Sequence, residues 1–505
     1  MVDIIKRIVI AGGGTAGWMT AAALSQIMGE RLCITLIESE EIGSVGVGEA
    51  TIPMIAHFNA LLRLDENEFL RETKGTIKLG IAFDGWRHEG HSYMHAFGTL
   101  GRDLGSVPFH HYWLQAHLDG QDEDLWAYSL NERAAFANRF APLNQIPNTP
   151  LPGIPYAYHF DASLYALYLR RLAEGNGARR IEGRIRDIAL NPETGHVTRL
   201  SLEDGQTLEG DLFIDCSGFR GLLIEGALKT GFESYKDLLP CDRAFAVPCE
   251  SVSPLTPYTR SIAREAGWQW RIPLQHRTGN GYVFCSDHVS EDEAATRLLS
   301  RLDGKALADP RLIRFETGRR RLQWNGNVIA LGLSSGFIEP LESTSIHLIQ
   351  SGIARLITLF PNAGFDPSVV AEYNRQSALE FELIRDFIVL HYHANERHGE
   401  PFWDQMRHMS IPESLAQKIA LFRASGVIQP NPNDLFQLPA WLQVMVGQNI
   451  RPTAAHPFVG AVPEAARKDY LANLRTIIGR AAEGLPDHAD YIAKHCRALS
   501  TLSGL

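Results

Sequence analysis

The run Ile4-Ile5-Lys6-Arg7-Ile8-Val9-Ile10-Ala11-Gly12-Gly13-Gly14-Thr15-Ala16-Gly17-Trp18-Met19 decides the fold. A β-branched strand enters a glycine cluster, and an alanine-rich helical run from Met19 to Met28 leaves it. Gly12, Gly14 and Gly17 match G-x-G-x-x-G. In that turn the first glycine permits the tight bend and the second lets backbone approach a pyrophosphate. The third lets helix pack closely on strand. The helix start offers free N–H groups and a positive dipole end to phosphate oxygens. A second β-branched run, Cys33-Ile34-Thr35-Leu36-Ile37, ends in Glu38, and 38 − 17 = 21 residues separate Glu38 from Gly17. An acid about 20 residues on is placed to accept from a ribose 2′-OH, and favours FAD or NAD over NADP. The expected fold is α/β, a Rossmann-like dinucleotide-binding module.

Composition sets the outer bounds. The 505 residues are 45% hydrophobic, enough for a large core or for two to three cooperating lobes. A net charge of −10 gives no electrostatic footprint for nucleic acid or an anionic membrane. No secretory leader is read, because Asp3, Lys6 and Arg7 interrupt the first apolar residues. No uncharged apolar run reaches the roughly 18 residues of a membrane span. Cysteines 33, 216, 241, 249, 285 and 496 form no C-x-x-C pair and read as reduced core residues of a cytoplasmic protein. No metal site is expected, since the adjacent His110 and His111 do not share a face on a helix or a strand.

Further along, Gly43-Ser44-Val45-Gly46-Val47-Gly48-Glu49-Ala50-Thr51-Ile52-Pro53 reads as a loop packed on the cofactor, apolar between its glycines. A helical pattern covers 54–72, and strand-like alternation follows from Thr76 to Phe83. Lys78 shares parity with Gly80 and Ala82, so alternation alone puts it toward solvent. Residues 84–150 are rich in aromatics and histidines and suggest the lining of an aromatic ligand site. Asp161 is placed to cap a helix. Trp268 and Trp270, two apart, point to one face of a strand, which fits an aromatic core ridge equally well. From Val328 to His347 the pattern runs strand, loop, helix start. Ser343 or Thr344 is the expected cap, and the first helical N–H groups form an anion site beside Glu339 and Glu342. Helical periodicity fills 346–425, and a last helix is expected near 464–500.

Four motifs together give a family resemblance. They are Gly12 to Trp18, Gly46-Val47-Gly48-Glu49-Ala50-Thr51-Ile52-Pro53, the W-x-W-x-I-P of Trp268, Trp270, Ile272 and Pro273, and Glu339-Pro340-Leu341-Glu342-Ser343-Thr344. Over nearly its whole length the chain resembles the flavin-dependent tryptophan halogenases. The resemblance implies an FAD-binding flavin-monooxygenase module over 1–350, interleaved with substrate-side segments at about 84–150 and 225–300. A mainly helical region, 351–505, packs on it. It implies Lys78 and Glu342 as catalytic residues, and backbone N–H groups at Thr344 and Ser345 as the halide site. It implies FAD contacts at Gly12, Gly14, Thr15, Ala16, Glu49, Ala50, Ile185, Leu333 and Ile346, to which the reading of the two glycine loops and the second strand adds Gly17, Glu38 and Gly48. His95 and Phe97 match indole-pocket positions, and the two tryptophans match a flavin-side signature that keeps substrate from the oxidised flavin.

The implied chemistry starts from FADH₂ supplied by a separate reductase through free diffusion. Reaction with O₂ and halide gives hypohalous acid, which travels to Lys78. The amine forms a haloamine or hydrogen-bonds HOX, and Glu342 stabilises or deprotonates the arenium. The resemblance is compatible with a homodimer. Two departures stand out. Ser345 replaces the usual glycine, which bears on chloride against bromide. The stretch Leu438-Pro439-Ala440-Trp441-Leu442-Gln443-Val444-Met445-Val446-Gly447-Gln448-Asn449 lacks the paired tyrosines that grip an amino-acid substrate. An open pocket for indole or another electron-rich arene is therefore expected, with bromide favoured. Two other readings stay open: an aromatic hydroxylase that needs neither Lys78, Glu342 nor halide, and a non-catalytic FAD-binding protein.

Overall fold

The structure is a computed structural model that describes residues 4–40, 48–121, 124–362 and 364–499. Gly43 to Val47, the first half of the second glycine loop, lie outside the described residues.

The strand Arg7–Ala11 runs at the centre of a six-stranded sheet. It pairs in parallel with Cys33–Glu38 on one side and Leu212–Asp215 on the other. Arg179–Glu182 and Val328–Ala330 extend the parallel set, and Trp324–Asn325 adds an antiparallel edge. The apolar runs read as strands are buried on both faces, as parallel sheets require. Between the first two strands runs the helix Thr15–Met28, whose N-cap Gly14 makes no side-chain cap bond. Gly12 has φ +116°, and a Cβ there would stand 2.3 Å from the Cys216 carbonyl oxygen. A Cβ on Gly17 would stand 1.9 Å from the Gly12 carbonyl oxygen, so the third glycine permits the close helix–strand approach.

A seven-stranded sheet lies over the cofactor side, ordered Arg311–Arg314, Arg243–Cys249, Thr278–Phe284, Gly267–Pro273, Thr259–Arg264, Gly80–Asp84 and Ser92–Ala96. A small sheet joins Gly48–Ala50, Ala157–Asp161 and Thr76–Lys78. The alternation read over 76–83 therefore splits between two sheets. Thr76–Lys78 belongs to the small one and Gly80–Asp84 to the large one, with the Leu79 amide bonded to the Pro257 carbonyl between them. Both halves are covered on both faces, so Lys78 is buried rather than turned to solvent.

Several local expectations change in detail. The pattern over 54–72 forms two helices, Ile55–Leu61 and Glu66–Glu72, separated at Arg63 with φ 56°. Asp161 caps Ala162–Gly175 through its side chain, as read. Cys33, expected in the core, is exposed, while the other five cysteines are buried and all six are free. The aromatic stretch 84–150 divides. Trp86 packs on Trp403 and Trp268 in the core, and His110 ties its helix to the Gly426 carbonyl. Of that stretch, His95 bonds to Glu342 and Phe97 lies under the Lys78 amine. From Ser345 onward the described residues are mainly helical, dominated by Ser345–Thr358, Pro367–His393 and Glu464–Glu483. Among the described residues no helix is long and apolar enough to cross a membrane.

Candidate active site

A cavity of about 870 Å³ opens along the glycine turn and ends against the Glu339–Ser345 segment. At one end lie Gly12, Gly14, Thr15, Ala16 and Glu38, and at the other Ser343, Ser345 and Ile346. Gly48, Glu49, Ala50, Ile185 and Leu333 line it between. Gly17 does not. Its place is the helix–strand contact, because its missing side chain is filled by the Gly12 carbonyl.

The donors and acceptors suit FAD. The first amides of Thr15–Met28 have no side-chain cap and face the cavity, as a diphosphate requires. Glu38 is held for a ribose by two donors, Arg180 Nε on one oxygen and Trp18 Nε1, 3.1 Å away, on the other. Burial pushes the Glu49 carboxyl up to about 7, with no cation to oppose it, so it can donate or accept toward a bound ring system. We expect Gly12→Ala to lose FAD and about 2–4 kcal/mol of stability, from left-handed strain and overpacking on Cys216. Flavin titration with thermal unfolding measures both.

Behind Ser343, outside the cavity, lies the lysine. Lys78 is fully buried, and its amine donates to the Ser343 hydroxyl at 2.7 Å and the Thr51 carbonyl at 2.9 Å. Phe97 lies under it, ring centre 5.3 Å from Nζ. Burial pushes the ammonium down to about 7, and the Glu342 charge opposes that shift. Ser343 holds φ 61°, ψ 38°, a left-handed conformation that closes the single turn Pro340–Glu342. Of the two expected caps, Thr344 holds that position, and Ser343 is the one described residue that both lines the cavity and touches the amine.

Glu342 is buried between two histidines. His95 Nδ1 donates to Oε2 at 2.8 Å. His391 Nε2 stands 2.9 Å from Oε1. Burial alone would raise the carboxyl, but the His95 charge and the His391 contact hold it below the usual carboxylate range. His391 was invisible in sequence, carrying no motif and lying near the end of Pro367–His393. Against His95 is an aromatic nest: Phe387 stacks on Phe436 at 3.9 Å, and Trp441 meets it edge-on at 4.8 Å.

Thr344 is the N-cap of Ser345–Thr358, as read, but makes no capping bond, and its buried Oγ1 has no partner. The helix start is therefore an open anion site, with Ser345 in the cavity wall. Trp268, Trp270 and Ile272 also line the cavity. Pro273 does not, its carbonyl accepting from Thr76 Oγ1.

A family model described as tryptophan halogenase matches residues 7–464. The 7-chloro-L-tryptophan 6-halogenase KtzR of Kutzneria sp. is 36% identical, over 96% of this chain and 99% of its own. Among solved structures, Xcc4156, a flavin-dependent halogenase from Xanthomonas campestris, is 48% identical with TM-score 0.95, covering 98% of this chain and 99% of that one. BrvH, a flavin-dependent halogenase from Brevundimonas sp. BAL3, is 45% identical with TM-score 0.93, covering 97% and 99%.

Proposed function

The chain belongs to the tryptophan halogenase family, and from that premise we propose that Lys78 and Glu342 halogenate an electron-rich arene of the indole class, with halide held at Thr344 and Ser345. It is an FADH₂-dependent halogenase. Bound reduced FAD supplies, with dioxygen, the oxidant that turns halide into hypohalous acid. The observation that carries the residue assignment is the buried Lys78 amine, joined by one serine hydroxyl to the cofactor cavity. That serine marks where HOX made in the cavity reaches the amine, and the enclosure keeps it from reacting elsewhere.

Lys78 orients the electrophile, and Glu342, held anionic by His95 and His391, faces the cation that forms on the ring. His95 and Phe97 support the ring, and the Phe387, Phe436 and Trp441 nest is its other wall. Residues 438–449 contain no charged side chain, and the Gln443 amide is spent on the Ala96 backbone and the Pro439 carbonyl. An amino-acid zwitterion would find no counter-charge there. Indole is therefore expected to exceed free tryptophan in kcat/KM by about 10²-fold, from about 3 kcal/mol of unpaired polar burial.

The proposal includes a separate reductase that delivers FADH₂ by diffusion, a cytoplasmic location, a homodimer and a preference for bromide. It also divides the chain into the FAD module of 1–350 and the helical region of 351–505. The test is incubation with a flavin reductase, bromide or chloride, and an arene panel read by mass spectrometry. Halide-dependent isotope patterns are expected. A product gaining only oxygen would instead mark a hydroxylase.

A further inference from the structure

Glu339 is a buried acid that the halogenation chemistry leaves unused. It is fully buried, and burial pushes its carboxyl up to about 7. Two donors converge on its Oε2, Trp268 Nε1 at 2.7 Å and the Tyr392 hydroxyl at 2.5 Å, while Oε1 has no partner. An apolar residue of this size would cost less to bury, so the acid is retained for the direction its two bonds impose. Its position gives that direction a use. Glu339 opens the turn Pro340–Glu342, with the Leu341 amide bonded to its carbonyl and the Ser343 amide to that of Pro340. Next follow Glu342, the Ser343 that holds Lys78, and the Thr344 helix start.

Both anchors come from stiff elements. Trp268 sits in Gly267–Pro273, paired on both sides within the seven-stranded sheet. Tyr392 is the neighbour of His391, so one helix end meets both carboxylates of the segment. We propose that Trp268 is a positioning residue. Through Glu339 it fixes residues 339–345, and so sets Ser343 against Lys78 and the helix start against halide. This gives the first tryptophan of W-x-W-x-I-P a directional hydrogen bond as its task, beyond bulk at the flavin. The idea rests on the halogenase reading for its activity readout, but not for its structural one.

Trp268→Phe removes the indole N–H and keeps an aromatic side chain. In the protein without flavin, hydrogen exchange of amides 340–345, Pro340 excepted, should quicken at least tenfold, with Arg7–Ala11 unchanged. With flavin reductase, bromide, indole and saturating FAD, bromoindole per reduced flavin consumed should fall at least tenfold. A diketone trap should capture the escaping hypobromous acid. Tyr392→Phe, which removes the second donor to the same oxygen, should repeat the pattern if Trp268→Phe does not fold. Glu339→Leu should reproduce the loss, and Glu339→Gln, which still accepts both bonds, should restore coupling. Unchanged exchange over 340–345 overturns the proposal, as does activity lost only in proportion to FAD. A wild-type protein that halogenates nothing, yet shows the exchange effect, would sink the enzyme assignment and leave the anchoring intact.

Discussion

Lys78→Ala should abolish arene halogenation, with product falling at least about 10³-fold as the positioned amine is lost, while FAD binding and hypohalous acid formation should remain. The amine is outside the cofactor cavity and reaches it only through Ser343, so its removal leaves the nucleotide contacts untouched. Full activity in this variant would reject the lysine role. The pH profile separates its two chemistries. A neutral amine takes halogen from HOX, forming an N–X bond and releasing water, whereas an ammonium only donates a hydrogen bond. Burial brings the group to about 7, so the neutral form dominates above that pH. Halogenation of a non-titrating arene should rise with pH through about 7 and then level. A profile falling over that window would assign the ammonium. Stability carries the same sign. Between about 7 and the unperturbed 10.5 the unfolded lysine holds the proton that the folded one has lost. The stability deficit of wild type relative to Lys78→Met should therefore shrink as pH rises, by up to about 1.4 kcal/mol per pH unit.

The parts of this site that a sequence reveals are those built from backbone. The turn at Gly12 to Gly17 was legible because a tight bend and a close helix approach admit only glycine, and the spacing to Glu38 follows from one strand and one helix. The open helix start at Thr344 was legible for the same reason, a local change of period. Lys78 was not legible from pattern. Parity has meaning only when one face of a strand is wet, and here the chain changes sheets at Leu79 with all faces covered. Motif context alone singled it out as a candidate. His391 and Tyr392 lie beyond either kind of signal, since what they do depends on where one long helix ends relative to a turn about fifty residues earlier. Trp268 was visible as a signature, yet its bond to Glu339 joins two motifs that no local rule connects.

Glu342→Gln should lower halogenation kcat by about 10²–10³-fold, the usual loss when a preorganised charge or proton acceptor is removed from a closed site. Glutamine fills the same space and still accepts from His95, so folding and FAD binding should hold. The loss is then electrostatic, and a second sign checks it. The Glu342 charge is what raises the Lys78 ammonium against burial. Without it the amine sheds its proton more easily, so the rising limb of the pH profile should move below about 7 even as its plateau drops. A role confined to holding shape would leave that limb in place. His391→Asn should act on the other side of the same balance. Glu342 is faced by His95 from its strand, His391 from its helix, and Lys78 and Tyr93 through their charges or hydroxyl. With His391 gone, burial regains its hold on the carboxyl and pushes it up, so an acid limb absent from wild type should appear and activity should recover as pH rises. Wild-type turnover in Glu342→Gln would contradict the assignment.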